Sequence, residues 1–167
     1  MKKKIMRFLI PLGIAFLGLL VNLLACERIF PKYLIVDFPL LMTAYFAFFD
    51  PSEVSIIAVI ILATCRDIFS GGNMGSVFFA TLSLYFFGRY FYRKLYVENE
   101  LFLLVAVLIL MSFESLSIGI INFAAYDFVI HLHYPLTEII RVSVNSLIAV
   151  PIFYALMKRT GLRAYEI

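Results

Sequence analysis

Four long uncharged or nearly uncharged runs constrain this chain more than anything else in it. Leu101 to Ala125 is 25 residues with Glu114 as its one charge, and Leu136 to Met157 is 22 with only Glu138 and Arg141. Phe8 to Ala25 is 18 residues with no charge, and Tyr33 to Phe49 is 17 with Asp37 alone. Each approaches or exceeds the ~20 residues a helix needs to cross ~30 Å of hydrocarbon. The composition agrees: 63% of the 167 residues are hydrophobic and 15% charged, against roughly half and a quarter in soluble domains. The expectation is an all-α integral membrane protein.

Between the second and fifth runs lie two shorter ones, separated by Ala63-Thr-Cys-Arg-Asp-Ile-Phe-Ser-Gly-Gly-Asn-Met-Gly-Ser76. Val54 to Cys65 is 12 residues, or 16 through Phe69, and Val77 to Phe87 is 11, or 16 through Tyr92. They read either as two thin spans or as one re-entrant hairpin. With both counted, the chain is a compact bundle of about six transmembrane helices, near 5–25, 33–49, 53–69, 76–92, 101–125 and 136–157, forming a single transmembrane domain over 1–167. The third and fourth are short and joined by a Gly-rich turn of Gly71, Gly72 and Gly75. Glycine suits such a turn because it accepts positive φ and lets helices approach, and Asp67 is placed to accept hydrogen bonds from the turn's amides.

Charge sets the orientation. With a cytoplasmic N-terminus, ten of the fourteen basic residues fall inside: Lys2 to Lys4, Arg7, Arg89, Arg93, Lys94, Lys158, Arg159 and Arg163. Arg28, Lys32 and Arg66 fall outside and Arg141 lies within a span, so both termini are expected in the cytoplasm. Orientation accounts for the basic residues, and no nucleic-acid partner is expected. Leu23-Leu-Ala-Cys26 has the look of a lipoprotein cleavage site, but Leu24 is large for that pattern and five further segments anchor the chain, so the first segment is read as a retained helix. Cys26 and Cys65 both fall toward the outer face, where a disulfide is conceivable, although packing as small apolar thiols is the simpler reading. Asp50-Pro-Ser-Glu53 reads as a helix start with Asp50 as N-cap. Pro11 and Pro151 lie inside spans as packing features.

The charges within spans carry most information, because placing one in hydrocarbon costs about 2.5–3.5 kcal/mol even on insertion scales. Glu114 lies 13 residues from Leu101, or ~20 Å at 1.5 Å per residue, and Arg141 lies 16 from Met157, or ~24 Å. They can meet at similar depth. Asp37 begins the second segment, and Arg66 with Asp67 ends the third. Asp37, Arg66, Asp67, Glu114 and Arg141 therefore form an outer polar cluster, joined by Ser112, Ser115, Ser117, Asn122 and Asn145. One reading makes it a partner or ligand site; the other makes it structural, with Arg141 paired to Glu138 on its own helix and both snorkelling outward.

No chemistry beyond this stands out. Gly71 to Gly75 matches neither the dinucleotide fingerprint nor a nucleotide P-loop, and Asp67 with Asn73 lacks calcium-loop spacing. His131 and His133 want a clear third metal ligand, which Asp127 or Glu138 would have to supply. No catalytic triad or two-metal arrangement is evident. No enzyme, cofactor or metal is expected.

From Asp37 to Glu114 the chain resembles the rod shape-determining MreD family: an apolar second segment, a third ending in Asp67-Ile-Phe-Ser-Gly-Gly, then Gly75 and a span leading to Gly88-Arg89, with acidic Glu114 in the next. Many members open the second segment with a proline-aspartate pair, where this chain has Asp37-Phe-Pro39. The resemblance implies a non-enzymatic scaffold of the cell-elongation machinery, associated with the single-span MreC, the actin-like MreB, the glycan polymerase RodA and a penicillin-binding transpeptidase, and surrounded by membrane lipid. A second resemblance, to the substrate-binding subunits of energy-coupling-factor vitamin importers, rests on size and helix number. Those subunits commonly carry small residues four apart on the first helix, whereas here Gly13 precedes Leu17 and Ala15 precedes Leu19.

Overall fold

The computed structural model describes residues 2–22, 36–50, 52–70, 73–92, 100–126 and 133–160. They form six helices: α1 (Lys2–Val21), α2 (Phe38–Phe49), α3 (Glu53–Ser70), α4 (Ser76–Tyr92), α5 (Glu100–Tyr126) and α6 (His133–Thr160). Among the described residues there is no strand. Within α5 and α6, Leu101–Ala124 and Leu136–Arg159 are long and apolar enough to cross a membrane by length and composition; the other four helices do not meet that measure.

Helix α2 is the axis. Its twelve residues, FPLLMTAYFAFF, are apolar nearly all round, which is the signature of a helix with no face to give to water. Every side chain from Pro39 to Phe49 is buried, and the helix packs against α1, α3, α4 and α6. Thr43 avoids an unsatisfied hydroxyl by donating to the Pro39 carbonyl at 2.9 Å. The helix starts at Phe38, later than the expected run from Tyr33, because Asp37 is its N-cap and accepts from the Leu40 N–H at 3.1 Å.

At the other end of α2 lies Asp50, expected as the N-cap of the next helix. Asp50 closes α2, its N–H donating to the Phe46 carbonyl at 3.3 Å, while its carboxylate accepts from the Ser52 N–H at 3.2 Å. Helix α3 begins at Glu53. Pro51 lies outside the described residues.

Contacts at the two ends of α2 show that successive helices alternate in direction. The first half of α1 and the last half of α6 meet the end of α2 through aromatic rings: Phe8 to Phe46 at 6.2 Å, Tyr45 to Phe153 at 5.6 Å and Phe49 to Phe153 at 5.9 Å. In the same half, the Ser55 and Tyr85 hydroxyls bond at 2.8 Å, joining the start of α3 to α4. At the opposite end, Asn22 donates to the Val36 carbonyl at 2.7 Å, and α1 passes α2 so closely that a Cβ at Gly18 would overlap the Phe38 ring. Pro11 and Pro151 both sit inside helices.

Polar and charged side chains lie within the mostly apolar interior, and large apolar ones lie outside. Glu114, Arg66, Thr81, Asn145 and Ser146 are buried, while Leu17, Ile57, Phe79, Leu116, Ile120 and Phe123 are each at least 59% exposed. Large exposed apolar surface of this extent does not belong to a monomer bathed in water.

Gly18 gives the packing a direct test. Gly18→Leu forces α1 off α2 and is expected to lower stability by about 1–3 kcal/mol, the usual range for overpacking. Gly13→Leu, whose Cβ would meet nothing within 4 Å, is expected to be neutral. Thermal melting of both variants in mild detergent checks this, and equal melting temperatures would mean the α1–α2 contact is looser than described.

Candidate functional site

Arg66, near the end of α3, has its side chain turned into the bundle with 7% exposed. Its Nε meets Asp37 Oδ2 at 2.6 Å, and one terminal nitrogen meets Glu114 Oε1 at 2.6 Å. The same nitrogen donates to Thr81 Oγ1 at 2.8 Å, and the Thr81 hydroxyl in turn donates to the Val77 carbonyl at 2.7 Å. A planar guanidinium with several fixed donors is suited to hold two carboxylates and a hydroxyl from three other elements; a lysine ammonium is not.

Glu114 is wholly buried on α5, and its second oxygen receives Arg141 of α6 at 3.2 Å. Arg141 also contacts Glu138 one turn earlier, with Nε at 3.0 Å and a terminal nitrogen at 2.8 Å from Oε2. The same Oε2 accepts from the Ser115 hydroxyl at 2.8 Å. Asn145 closes the ring: its Oδ1 accepts the Asp37 backbone N–H at 2.8 Å, and its amide donates to the Arg141 carbonyl at 2.9 Å. One continuous network thus ties the start of α2 to α3, α4, α5 and α6.

The network contains three carboxylates and two guanidiniums. Ion pairs at such depth repay desolvation only with good geometry and further hydrogen bonds to the remaining polar atoms, and both conditions hold around Arg66 and Glu114. Removing one partner of a buried pair strands the other and costs about 3–5 kcal/mol. Chemically the arrangement is a clasp: each of its three carboxylates is paired with an arginine.

Of the five expected cluster residues, the structure brings together Asp37, Arg66, Glu114 and Arg141. Asp67 stands apart. It is half-buried at the end of α3 and accepts backbone N–H groups from Gly75 at 2.8 Å and from Val77 and Phe78 at 3.2 Å each. Its carboxylate therefore caps the start of α4 and fixes the turn. Gly75 has φ of 91°, a conformation that favours glycine; Gly71 and Gly72 lie outside the described residues. Engaged by three amides, the Asp67 carboxylate is satisfied as a cap and does not join the expected cluster of charges.

Sequence reasoning left out Thr81 and gave Glu138 only a local role. Thr81 had a signal: Arg66 and Thr81 lie nearly symmetrically about the Asn73–Gly75 turn, so antiparallel helices place them level. Asn122, also expected near the outer end, accepts from Asn73 at 3.3 Å. Among the described residues no group of three His, Cys, Asp or Glu side chains is placed to hold a metal. His131, Asp127 and Cys26 lie outside the described residues, and Cys65 is a half-buried free thiol.

Two substitutions separate the clasp from the cap. Arg66→Lys keeps the charge but loses the fork, and is expected to cost at least ~1 kcal/mol. Asp67→Ala removes only the cap and is expected to cost ~1–2 kcal/mol. Chemical denaturation in mild detergent measures both; an Arg66→Lys protein as stable as the parent would mean that charge alone suffices.

Neither a curated protein nor a solved structure matches the chain. The family model of the rod shape-determining protein MreD matches residues 2–160, nearly the whole chain and all six helices. By that match, the chain belongs to the MreD family.

Proposed function

We propose that this chain is a multi-pass protein of the bacterial inner membrane, with both termini cytoplasmic, that acts as a non-enzymatic scaffold for cell elongation. In this reading it helps to organise lateral peptidoglycan synthesis through MreC, MreB, RodA and a penicillin-binding transpeptidase. The observation that carries the proposal is the family match over residues 2–160, which makes rod-shape determination the coarse function. The membrane setting draws support from the large apolar side chains on the outside of the bundle and the charges held inside it, since lipid is the solvent that tolerates such an exterior.

Orientation has support of its own. The backbone start of α1, with Lys2 to Lys4, lies at the aromatic end of the bundle, as do the last turns of α4 and α6, with Arg89, Lys158 and Arg159. Basic residues gathered at one end fit the cytoplasmic face. Helices α3 and α4 run antiparallel for 18 and 17 residues, about 26 Å each at the usual helical rise, which favours two spans over a re-entrant hairpin.

A pull-down of the tagged protein from its native membranes in mild detergent tests the reading. Recovery of a single-span protein with a periplasmic domain, together with wall synthases, is the expected outcome. Recovery of a transmembrane coupling subunit with paired ATPases would overturn it in favour of an importer.

A further inference from the structure

The start of α1 and the end of α6 come together at the aromatic end of the bundle. Phe8 of α1 and Phe153 of α6 both contact rings in the last turns of α2, and α1 packs against α6. Lys4 and Lys2 lie four and six residues before Phe8, and Lys158 and Arg159 lie five and six residues after Phe153. At 1.5 Å per residue both pairs stand ~6–9 Å beyond the same aromatic layer. With Lys3 and Arg7, the backbone gathers six basic residues at the ends of two neighbouring helices.

No acid of these two helices answers them. Neither α1 nor the part of α6 after Glu138 contains one. Lys158 and Arg159 are exposed, and among the described residues no carboxylate forms an ion pair with either. The described acids at this end of the bundle belong elsewhere: the Asp50 carboxylate accepts from Ser52, and Glu53 and Glu100 open α3 and α5. Away from their basic ends, both helices carry bare apolar side chains, with Leu9 and Leu17 of α1 and Leu147 of α6 each more than half exposed. An amphiphile with an anionic head satisfies charge and apolar surface together, whereas an acidic protein segment at the membrane surface satisfies the charge alone. Two phosphates offset more of this charge than one, and basic sites between membrane helices on the cytoplasmic side are suited to such headgroups.

We propose that the paired ends of α1 and α6 bind the headgroup of a phospholipid with two phosphates, whose acyl chains lie along the exposed apolar faces of the two helices. The inference rests on the membrane setting of the proposed function and not on the scaffold's partners. A failed lipid test leaves a pull-down of wall synthases standing, and a failed pull-down leaves the lipid site.

Native mass spectrometry of the full-length protein in an uncharged mild detergent tests this, with cardiolipin as the probe and phosphatidylethanolamine as the comparison. The expected result is one retained cardiolipin, held at least tenfold more tightly than phosphatidylethanolamine; equal retention would overturn the proposal. Lys158→Gln combined with Arg159→Gln is expected to weaken cardiolipin at least tenfold, at unchanged melting temperature in the absence of lipid. Arg89→Gln removes a cation from the same end of the bundle, but from α4, which packs against α2, α3 and α5, and is expected to leave retention unchanged. Equal loss in the two variants would mean a diffuse attraction to the basic face and would also overturn the site. Protein extracted directly from its native membranes gives a second readout. A bound mass matching a two-phosphate lipid is expected, and an acidic polypeptide in its place, lost from the double variant, would overturn the proposal in favour of a protein partner.

Discussion

One guanidinium decides how this bundle is put together. Arg66 brings α3 inward to Asp37 and Glu114 at 2.6 Å each, and those acids commit α2 and α5 to the same level. Arg141 then binds α6 to the other oxygen of Glu114. In lipid, apolar side chains gain little by turning from acyl chains to one another, so association rests on close packing and polar links. A five-helix clasp supplies the links at one end of α2, and interlocked rings of Phe8, Tyr45, Phe46, Phe49 and Phe153 supply the packing at the other.

That division explains why the central helix is so short. Helix α2 spans about 18 Å at the usual rise, less than a hydrocarbon core, and its N-terminal amides would be stranded at depth without a cap. Asp37 serves both demands with one side chain: Oδ1 caps Leu40, Oδ2 holds Arg66, and its backbone N–H is taken by Asn145.

Much of this was legible in the residues. The long runs announced helices, and simple rise arithmetic put Glu114 and Arg141 level, where the structure joins them at 3.2 Å. The same arithmetic applied to Arg66 from Glu53 returns ~20 Å, so its meeting with Glu114 was available too. Asp67 was rightly linked to the turn's amides, but no count of spacing shows that it serves α4 as a cap rather than the cluster as a charge. The start of α2 at Phe38 was hidden because an apolar run continues across Asp37 without any break in composition. Pairings such as Asp37 with Arg66, 29 residues apart, depend on helix rotation about the axis, which hydropathy does not encode when a helix is apolar on every side.

The most direct test of the clasp is a double-mutant cycle on Arg66→Met and Glu114→Met, with unfolding free energies measured in lipid bicelles. If this pair joins the bundle, each single variant is severely destabilised and the double variant recovers much of the loss, giving a coupling of ~2 kcal/mol or more. A coupling near the ~0.6 kcal/mol typical of interhelical hydrogen bonds in membranes would contradict it and leave the aromatic half to hold the bundle alone.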